Sequence, residues 1–413
     1  MIKEINNVFL KEIVSSSPSK SFELRALFAC LLANNDIKIT NYGNCDDVSA
    51  MRNILSQFNF ELSHNNNFYC ISPKNIIVPK IIDAGESAFI ARSLPSIMSL
   101  FSKNFQIIGK KSLLKRNIIE DYSIFREKKW QIKSDGNNLP ASFSNAKLTP
   151  GKYFFDNPIS SQVISGLLFS LYALNDDSEI IIKNPVSLAY IYLSIYVLSL
   201  FNVKIESENK DGLFTIFVKG GQKIIANNIE IEGDWSSAAN FIVYALLKKD
   251  TIIKGLNVNS VQADKAILDV VEAANGKFFF SNGGLHILKS DTKSFDFDIT
   301  HCPDIFPPLI ILALFSEGKS KIYGINRLKN KESSRGEVLL QECRKMGAKI
   351  RQIDNHIEIE GEKNYKVANF NSYGDHRVAM AEIIISAILN NNSSVSGIDC
   401  VKKSCPNFLE MFY

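Results

Sequence analysis

The feature that most restricts the fold of this chain is an internal repeat. Six segments share one plan: a small or polar cluster, a strongly apolar helix, a short polar break, then a β-type run. They open near Lys20, Gly85, Ser160, Asp234, Asp304 and Asp375. The spacing is roughly 65–75 residues, the size of a supersecondary unit that buries its apolar face by stacking on its neighbours. The β-type runs are Ile37–Thr40, Phe105–Ile108, Ile180–Lys183, Thr251–Lys254, Lys321–Tyr323 and Ser394–Ser396. Two copies continue with an amphipathic helix and a hairpin: Glu337–Met346 then Lys349–Ile353 and His356–Glu360, and Ala263–Ala274 then Lys277–Phe280 and Leu285–Leu288. The pattern predicts a βαβαββ unit. Six units, three to a domain, give two similar α/β domains, at an ordinary domain size for 413 residues.

Ser and Asp at the openings are helix N-caps by type, because their oxygens accept from the free N–H groups of a first turn. Pro307 and Pro308 fit a first turn, where a missing N–H costs nothing. The helices that follow, such as Leu24–Ala33, Val163–Leu174 and Leu309–Phe315, are apolar almost all round and are predicted to lie buried. Asn184–Val203 is uncharged for about the length of a bilayer span. It opens with Asn-Pro and carries Ser187, Ser194, Ser199 and three tyrosines, so it is read as a buried helix plus the start of a strand. Met1–Val14 has lysine and glutamate among its apolar positions, and no secretory leader is expected.

Composition closes off other classes. With 46% hydrophobic and 22% charged residues, the chain is neither disordered nor fibrous. A net charge of +4 is too small to predict nucleic-acid binding. The seven cysteines (Cys30, Cys45, Cys70, Cys302, Cys343, Cys400, Cys405) include no C-x-x-C pair, which predicts reduced cytoplasmic thiols and no structural zinc.

The helix openings carry the wrong charge for structure alone. Lysine or arginine against the positive end of a helix costs about 0.3–1 kcal/mol. Lys20 and Arg25 nevertheless stand in one opening, Arg92 in a second and Arg377 in a third, while Lys331, Glu332 and Arg335 precede the amphipathic helix of the fifth unit. Taken together they predict a small, phosphorylated, acidic ligand whose oxygens are shared between backbone N–H groups and guanidinium forks.

These residues, in this order, resemble the EPSP synthase (3-phosphoshikimate 1-carboxyvinyltransferase) family over about Ser17 to Phe408. The matching elements are S-K-S-F-E-L-R (Ser19–Arg25), D-A-G-E-S-A-F-I-A-R (Asp83–Arg92), S-S-Q (Ser160–Gln162), E-G-D-W-S-S-A (Glu232–Ala238), P-D (Pro303-Asp304), K-E-S-S-R (Lys331–Arg335), D-H-R-V-A-M (Asp375–Met380) and K-S-C-P (Lys403–Pro406). The resemblance implies an inside-out α/β barrel fold whose two domains close like a clamp, with the site in the cleft. The domains would be 1–19 plus 234–413, and 20–233, the first strand belonging with the C-terminal half.

The resemblance also implies a reaction. The enolpyruvyl group of phosphoenolpyruvate moves to the 5-hydroxyl of shikimate 3-phosphate by addition and elimination, releasing phosphate on the way to chorismate and the aromatic amino acids. By resemblance, Ser21, Arg25, Ser160, Ser161, Ser187, Tyr190, Asp304 and Lys331 hold shikimate 3-phosphate. Lys20 and Gln162 serve both substrates. Ala88, Arg116, Arg335, Arg377 and Lys403 hold phosphoenolpyruvate. Asp304 is the implied base on the 5-hydroxyl, and Glu332 with Lys20 handles the proton at the methylene carbon. Such chemistry needs an acid, a base and clustered cations. No cofactor, metal, nucleic acid or membrane is implied, and the protein is expected to be a cytoplasmic monomer.

Four departures stand out. The family's usual Gly-Thr appears as Ala88-Phe89, which narrows the phosphoenolpyruvate end and predicts poor inhibition by the longer glyphosate. Arg327 stands where asparagine is common, Ser334 where aspartate is, and Arg116 lacks its following proline. Two rivals stay open. One is the sister class acting on UDP-N-acetylglucosamine, whose loop cysteine is missing from Lys103 to Asn117. The other is a non-catalytic relative that binds a phosphorylated ligand.

Overall fold

Burial alternates residue by residue along the short strands, so each sheet has one dry and one wet face. In the computed structural model every residue is described apart from Met1, Asn6, Asn7, Asn66, Asn67, Asn330 and Asn391, together with the side chains of Ile2 and Asp121.

The chain begins with β1 (Ile2–Glu4) and β2 (Ile13–Ser15). The first repeat is α1 (Lys20–Cys30), β3 (Ile37–Thr40), α2 (Asp46–Gln57), β4 (Phe60–Asn65) and β5 (Phe68–Pro73). The second is β6 (Ile81–Asp83), α3 (Ala88–Met98), β7 (Phe105–Ile108), two 3-10 turns, the short α4 (Ser123–Glu127), β8 (Gln131–Ser134) and β9 (Ala141–Ser144). The third is β10 (Gly151–Asp156), α5 (Gln162–Leu171), β11 (Ser178–Lys183), α6 (Leu188–Leu200), β12 (Ile205–Lys210) and β13 (Leu213–Val218).

The fourth repeat follows β14 (Asn228–Glu230) with α7 (Trp235–Lys248), β15 (Thr251–Lys254), α8 (Ile267–Ala273), β16 (Lys277–Ser281) and β17 (Gly284–Leu288). The fifth is β18 (Asp296–Asp298), α9 (Phe306–Phe315), β19 (Lys319–Tyr323), α10 (Arg335–Lys345), β20 (Lys349–Ile353) and β21 (His356–Glu360). The sixth is β22 (Asn369–Asn371), α11 (His376–Leu389) and β23 (Ser394–Ser396), and it ends in 3-10 turns instead of a hairpin.

Among the described residues, five sheets have four strands and one has three. The complete repeats pair their first strand parallel to the second and close with an antiparallel hairpin, as in β18-β19-β21-β20. Three repeats borrow strands from far away in sequence. β14 pairs parallel with β3, and β2 pairs parallel with β15. β1 lies antiparallel to β23, in the place a hairpin strand holds elsewhere.

Two compact units result: Met1–Ser17 with Glu232–Tyr413, and Pro18–Ile231. In the expected domain 1–19 plus 234–413, Met1, Asn6, Asn7, Asn330 and Asn391 lie outside the described residues; in 20–233, Asn66 and Asn67 do.

In each unit the apolar helices form the core. α9 is buried from Phe306 to Leu314, and α1 from Phe22 to Cys30. Side chains apolar on every side of a helix leave it no face for water. α6 departs from the expected buried helix. Ile191, Leu193, Ser194, Val197 and Leu198 face inward, while Tyr192 and Leu200 are exposed, and the next strand begins only at Ile205. Among the described residues, no helix is long and apolar enough to cross a membrane.

Candidate active site

Four helices are capped by a side chain, three of them by predicted residues (Ser87, Asp234 and Asp375) and α1 by Ser19, just ahead of the expected Lys20-Ser21 opening. Ser19 Oγ accepts from Phe22 N, Ser87 Oγ from Ile90 N, Asp234 from Ser237 N, and Asp375 from Arg377 N and Val378 N. Ser161 does not cap α5 this way; Ser160 Oγ accepts from Gln162 N at 3.1 Å. Capping fixes the first turn and so aims the residues that follow.

In the unit Pro18–Ile231, Arg25 is buried and donates from Nε to Ser194 Oγ (2.8 Å), from Nη1 to the Ser21 carbonyl (2.8 Å) and from Nη2 to the Tyr190 carbonyl (3.2 Å). Ser194 Oγ donates in turn to Ser165 Oγ at 2.9 Å, tying α6 to α5. Ser187, at the start of α6, is buried and held at φ +52°, a conformation that costs a non-glycine residue about 1–3 kcal/mol.

A second junction joins α3 to α5. Arg92 Nη1 donates to Gln162 Oε1 and Nη2 to the Asn117 carbonyl, both at 3.0 Å, and Ser93 Oγ donates to the Gln162 carbonyl at 2.8 Å. Gly166 permits this approach: a Cβ there would fall 2.3 Å from the Ser93 carbonyl oxygen. Arg116 is half-buried just after a 3-10 turn, next to the Asn117 that Arg92 holds. Lys20, the first residue of α1, pairs with Asp47 at 3.1 Å.

In the other unit, charged groups from four separate segments meet. Asp304 takes Arg335 Nη1 at 3.0 Å, Lys331 Nζ at 3.2 Å and Arg377 Nη2 at 3.2 Å. Arg335 is almost wholly buried and grips Asp375 side-on, through Nε (2.9 Å) and Nη2 (3.2 Å). Glu332 lies between Arg335 Nη2 and Lys403 Nζ, each at 2.8 Å. A bidentate guanidinium–carboxylate fork fixes direction as well as charge.

Burial opposes ionisation of Asp304, but Arg377, then Lys331 and Arg335, outweigh it and hold the carboxyl well below the usual range. Burial likewise draws Lys331 down, against the pull of Asp304. The carboxyl of Asp264 is pushed up to about 6 by burial and then by Asp304; Ser236 Oγ donates to it.

The helix-start cations therefore have protein partners. Asp47 serves Lys20, Asp375 and Glu332 serve Arg335, and Asp304 serves Arg377. These carboxylates supply charge balance for which the pattern of cations predicts a ligand. Glu332, Asp375 and His376 place candidate metal-ligand atoms within 4.8 Å of one another. Arg335 and Lys403 already engage both carboxylates, and a metal ion there would be pressed against two cations.

Comparison with known proteins gives the family. The model of EPSP synthase (3-phosphoshikimate 1-carboxyvinyltransferase) matches residues 6–412. This chain belongs to the EPSP synthase family. It is 32% identical to the 3-phosphoshikimate 1-carboxyvinyltransferase of Clostridium acetobutylicum over 98% of this chain and 95% of that protein. It is 31% identical to that of Clostridium perfringens strain 13, over 98% and 95%. The solved EPSP synthase of Acinetobacter baumannii superposes with a TM-score of 0.79 at 22% identity, covering 99% of this chain and 97% of that one. The enolpyruvyl transferase NikO of Streptomyces tendae superposes with 0.76 at 12%, covering 99% and 96%. These two likenesses establish the fold, an α/β fold of the enolpyruvyl transferase type.

Within an EPSP synthase family chain, the departures take definite positions. Ala88 is the buried first residue of α3. Phe89 stacks on Phe28 (centroids 5.3 Å apart) and lies under Arg25, 4.4 Å from its guanidinium carbon. Arg327 adds a positive charge near Lys331. Ser334 precedes α10 without a capping bond, while Ser333 Oγ donates to Asp375 at 3.1 Å.

Sequence reading missed Asp47, Ser194, Asp264 and the Arg335 partnership of Asp375. Asp46-Asp47 at the opening of α2 was the one local signal available for the first.

Proposed function

We propose that this chain transfers the enolpyruvyl group of phosphoenolpyruvate to the 5-hydroxyl of shikimate 3-phosphate, with release of phosphate. The observation that carries the reading is Asp304, an acid kept ionised by Lys331, Arg335 and Arg377 at 3.0–3.2 Å. Alone, such a carboxylate is a poor proton acceptor. When substrate phosphate and carboxylate oxygens claim Lys331 and Arg377, their hold on Asp304 weakens and its proton affinity rises. Arg335 stays anchored on Asp375.

The 5-hydroxyl then gives its proton to Asp304 as its oxygen bonds to C2 of phosphoenolpyruvate, while the methylene carbon receives a proton. Elimination removes a proton from that carbon, and phosphate departs. Glu332 with Lys20 handles the methylene proton. Glu332 is held by Arg335 and Lys403, so its part in proton transfer requires Lys403 to release Oε1.

Lys20, Ser21, Arg25, Ser160, Ser161, Gln162, Ser187, Tyr190, Asp304 and Lys331 bind shikimate 3-phosphate. Lys20, Ala88, Arg116, Gln162, Arg335, Arg377 and Lys403 bind phosphoenolpyruvate. The protein works as a cytoplasmic monomer without cofactor, metal or nucleic acid.

The test is phosphate release. It should require both substrates and fall by about 100-fold or more in Asp304→Ala, the scale of losing a general base. Release that accepts UDP-N-acetylglucosamine in place of shikimate 3-phosphate, or binding without any turnover, would replace this reading with one of the two rivals.

A further inference from the structure

Arg25 differs in kind from four other cations proposed to bind substrate. Lys20, Arg335, Arg377 and Lys403 each touch a carboxylate. The groups that Arg25 contacts are neutral: one hydroxyl, two carbonyls and two ring faces, Phe89 at 4.4 Å and Tyr190 at 5.9 Å. A guanidinium has five N–H donors, and among the described residues three hydrogen bonds are made here. Two donors remain.

Burial pulls the Arg25 guanidinium down from its ordinary value, and Tyr190 beside it pushes back. A carboxylate in this position would stabilise the charge but compete with an incoming anion for the same donors. A ring face stabilises the cation through its quadrupole and leaves the donors free. Phe89 is itself fixed, because Phe28 stacks on it and both are buried. The family's threonine at this position offers a hydroxyl and no face.

We propose that Phe89 is a positioning residue for Arg25: its ring, braced by Phe28, sets the plane from which the two remaining N–H donors reach an anionic group of shikimate 3-phosphate. This rests on the reading of Arg25 as a substrate-binding residue.

Calorimetric binding of shikimate 3-phosphate alone to the full chain separates the two claims. Wild type should bind. Phe89→Leu, which keeps bulk and removes the ring, should raise Kd by about 3- to 30-fold, the range of a desolvated cation–π contact. Phe89→Trp should stay within about threefold of wild type. KM for shikimate 3-phosphate should follow Kd, with kcat at saturation changed less than about twofold, since the contact is the same in ground and transition states.

If Phe89→Leu does not fold, mono-, di- and trifluorophenylalanine at position 89 serve instead, and Kd should climb with each fluorine. Wild-type affinity in Phe89→Leu, or a flat fluorine series, overturns the positioning role and leaves the substrate reading intact. No binding by folded wild type overturns both.

Discussion

Ala88 and Phe89 are neighbours at the start of α3, and each answers to a different force. Ala88 adds one buried methyl where the family commonly has glycine. Overfilling a packed site by a methyl costs about 1–3 kcal/mol for a ligand that needs the room. Ala88→Gly should therefore strengthen glyphosate inhibition by about tenfold or more, measured as Ki against phosphoenolpyruvate; an unchanged Ki would remove Ala88 from that end of the site.

At this scale the sequence displayed the cations clearly and their partners poorly. Lys20 meets Asp47 across 27 residues, and Arg335 meets Asp375 across 40. No local spacing rule links residues so far apart.

Helix openings join packing to chemistry. Asp375 caps α11 through Oδ1 and receives Arg335 on both oxygens, so one carboxylate starts a helix and orients a cation. Asp375→Asn keeps an acceptor for the cap and removes the charge from a buried fork. A charge-assisted bond of that kind contributes about 1.5–3 kcal/mol. The expected result is a fall of about 10- to 100-fold in kcat/KM for phosphoenolpyruvate, with helix content by circular dichroism unchanged.

Further along α11, Glu382 is fully buried and both its carboxylate oxygens lack a hydrogen-bond partner among the described residues. Burial, and then Glu342, push its carboxyl up to about 9, against Lys345. In the unfolded chain it ionises near about 4.3. Between those values the folded state holds one more proton, so stability is intact below the lower value and is lost as pH rises towards 9. Glu382→Gln should melt like wild type near pH 4 and gain stability above it, by up to about 1.4 kcal/mol for each pH unit between the two values. A gap that does not widen with pH would refute the assignment.

For the molecule as a whole, strand exchange decides which pieces can stand alone. Residues 18–231 contain β14, which completes the sheet of the first repeat, so this unit owns all three of its sheets. Residues 232–413 lack β1 and β2, which leaves β23 and β15 with open edges. Exposed edges pair with other chains. Expressed separately, 18–231 should be soluble and melt cooperatively, while 232–413 should aggregate unless residues 1–17 are supplied in cis by circular permutation. Sedimentation and thermal melts check both outcomes, and a soluble, cooperative 232–413 would show the two strands to be dispensable.

The sequence by itself determined the six-fold period, the order of helix and strand from first helix to hairpin in five of the six units, and the placement of cations at helix starts. All three are written in hydrophobic alternation and capping residues a few positions apart, which act before any distant contact exists. Only the tertiary structure decided which strand completes which sheet, which carboxylates balance the cations, and that Arg25 lies against a ring. Those facts depend on segments brought together by burial of the apolar helices, and local order along the chain does not encode the meeting.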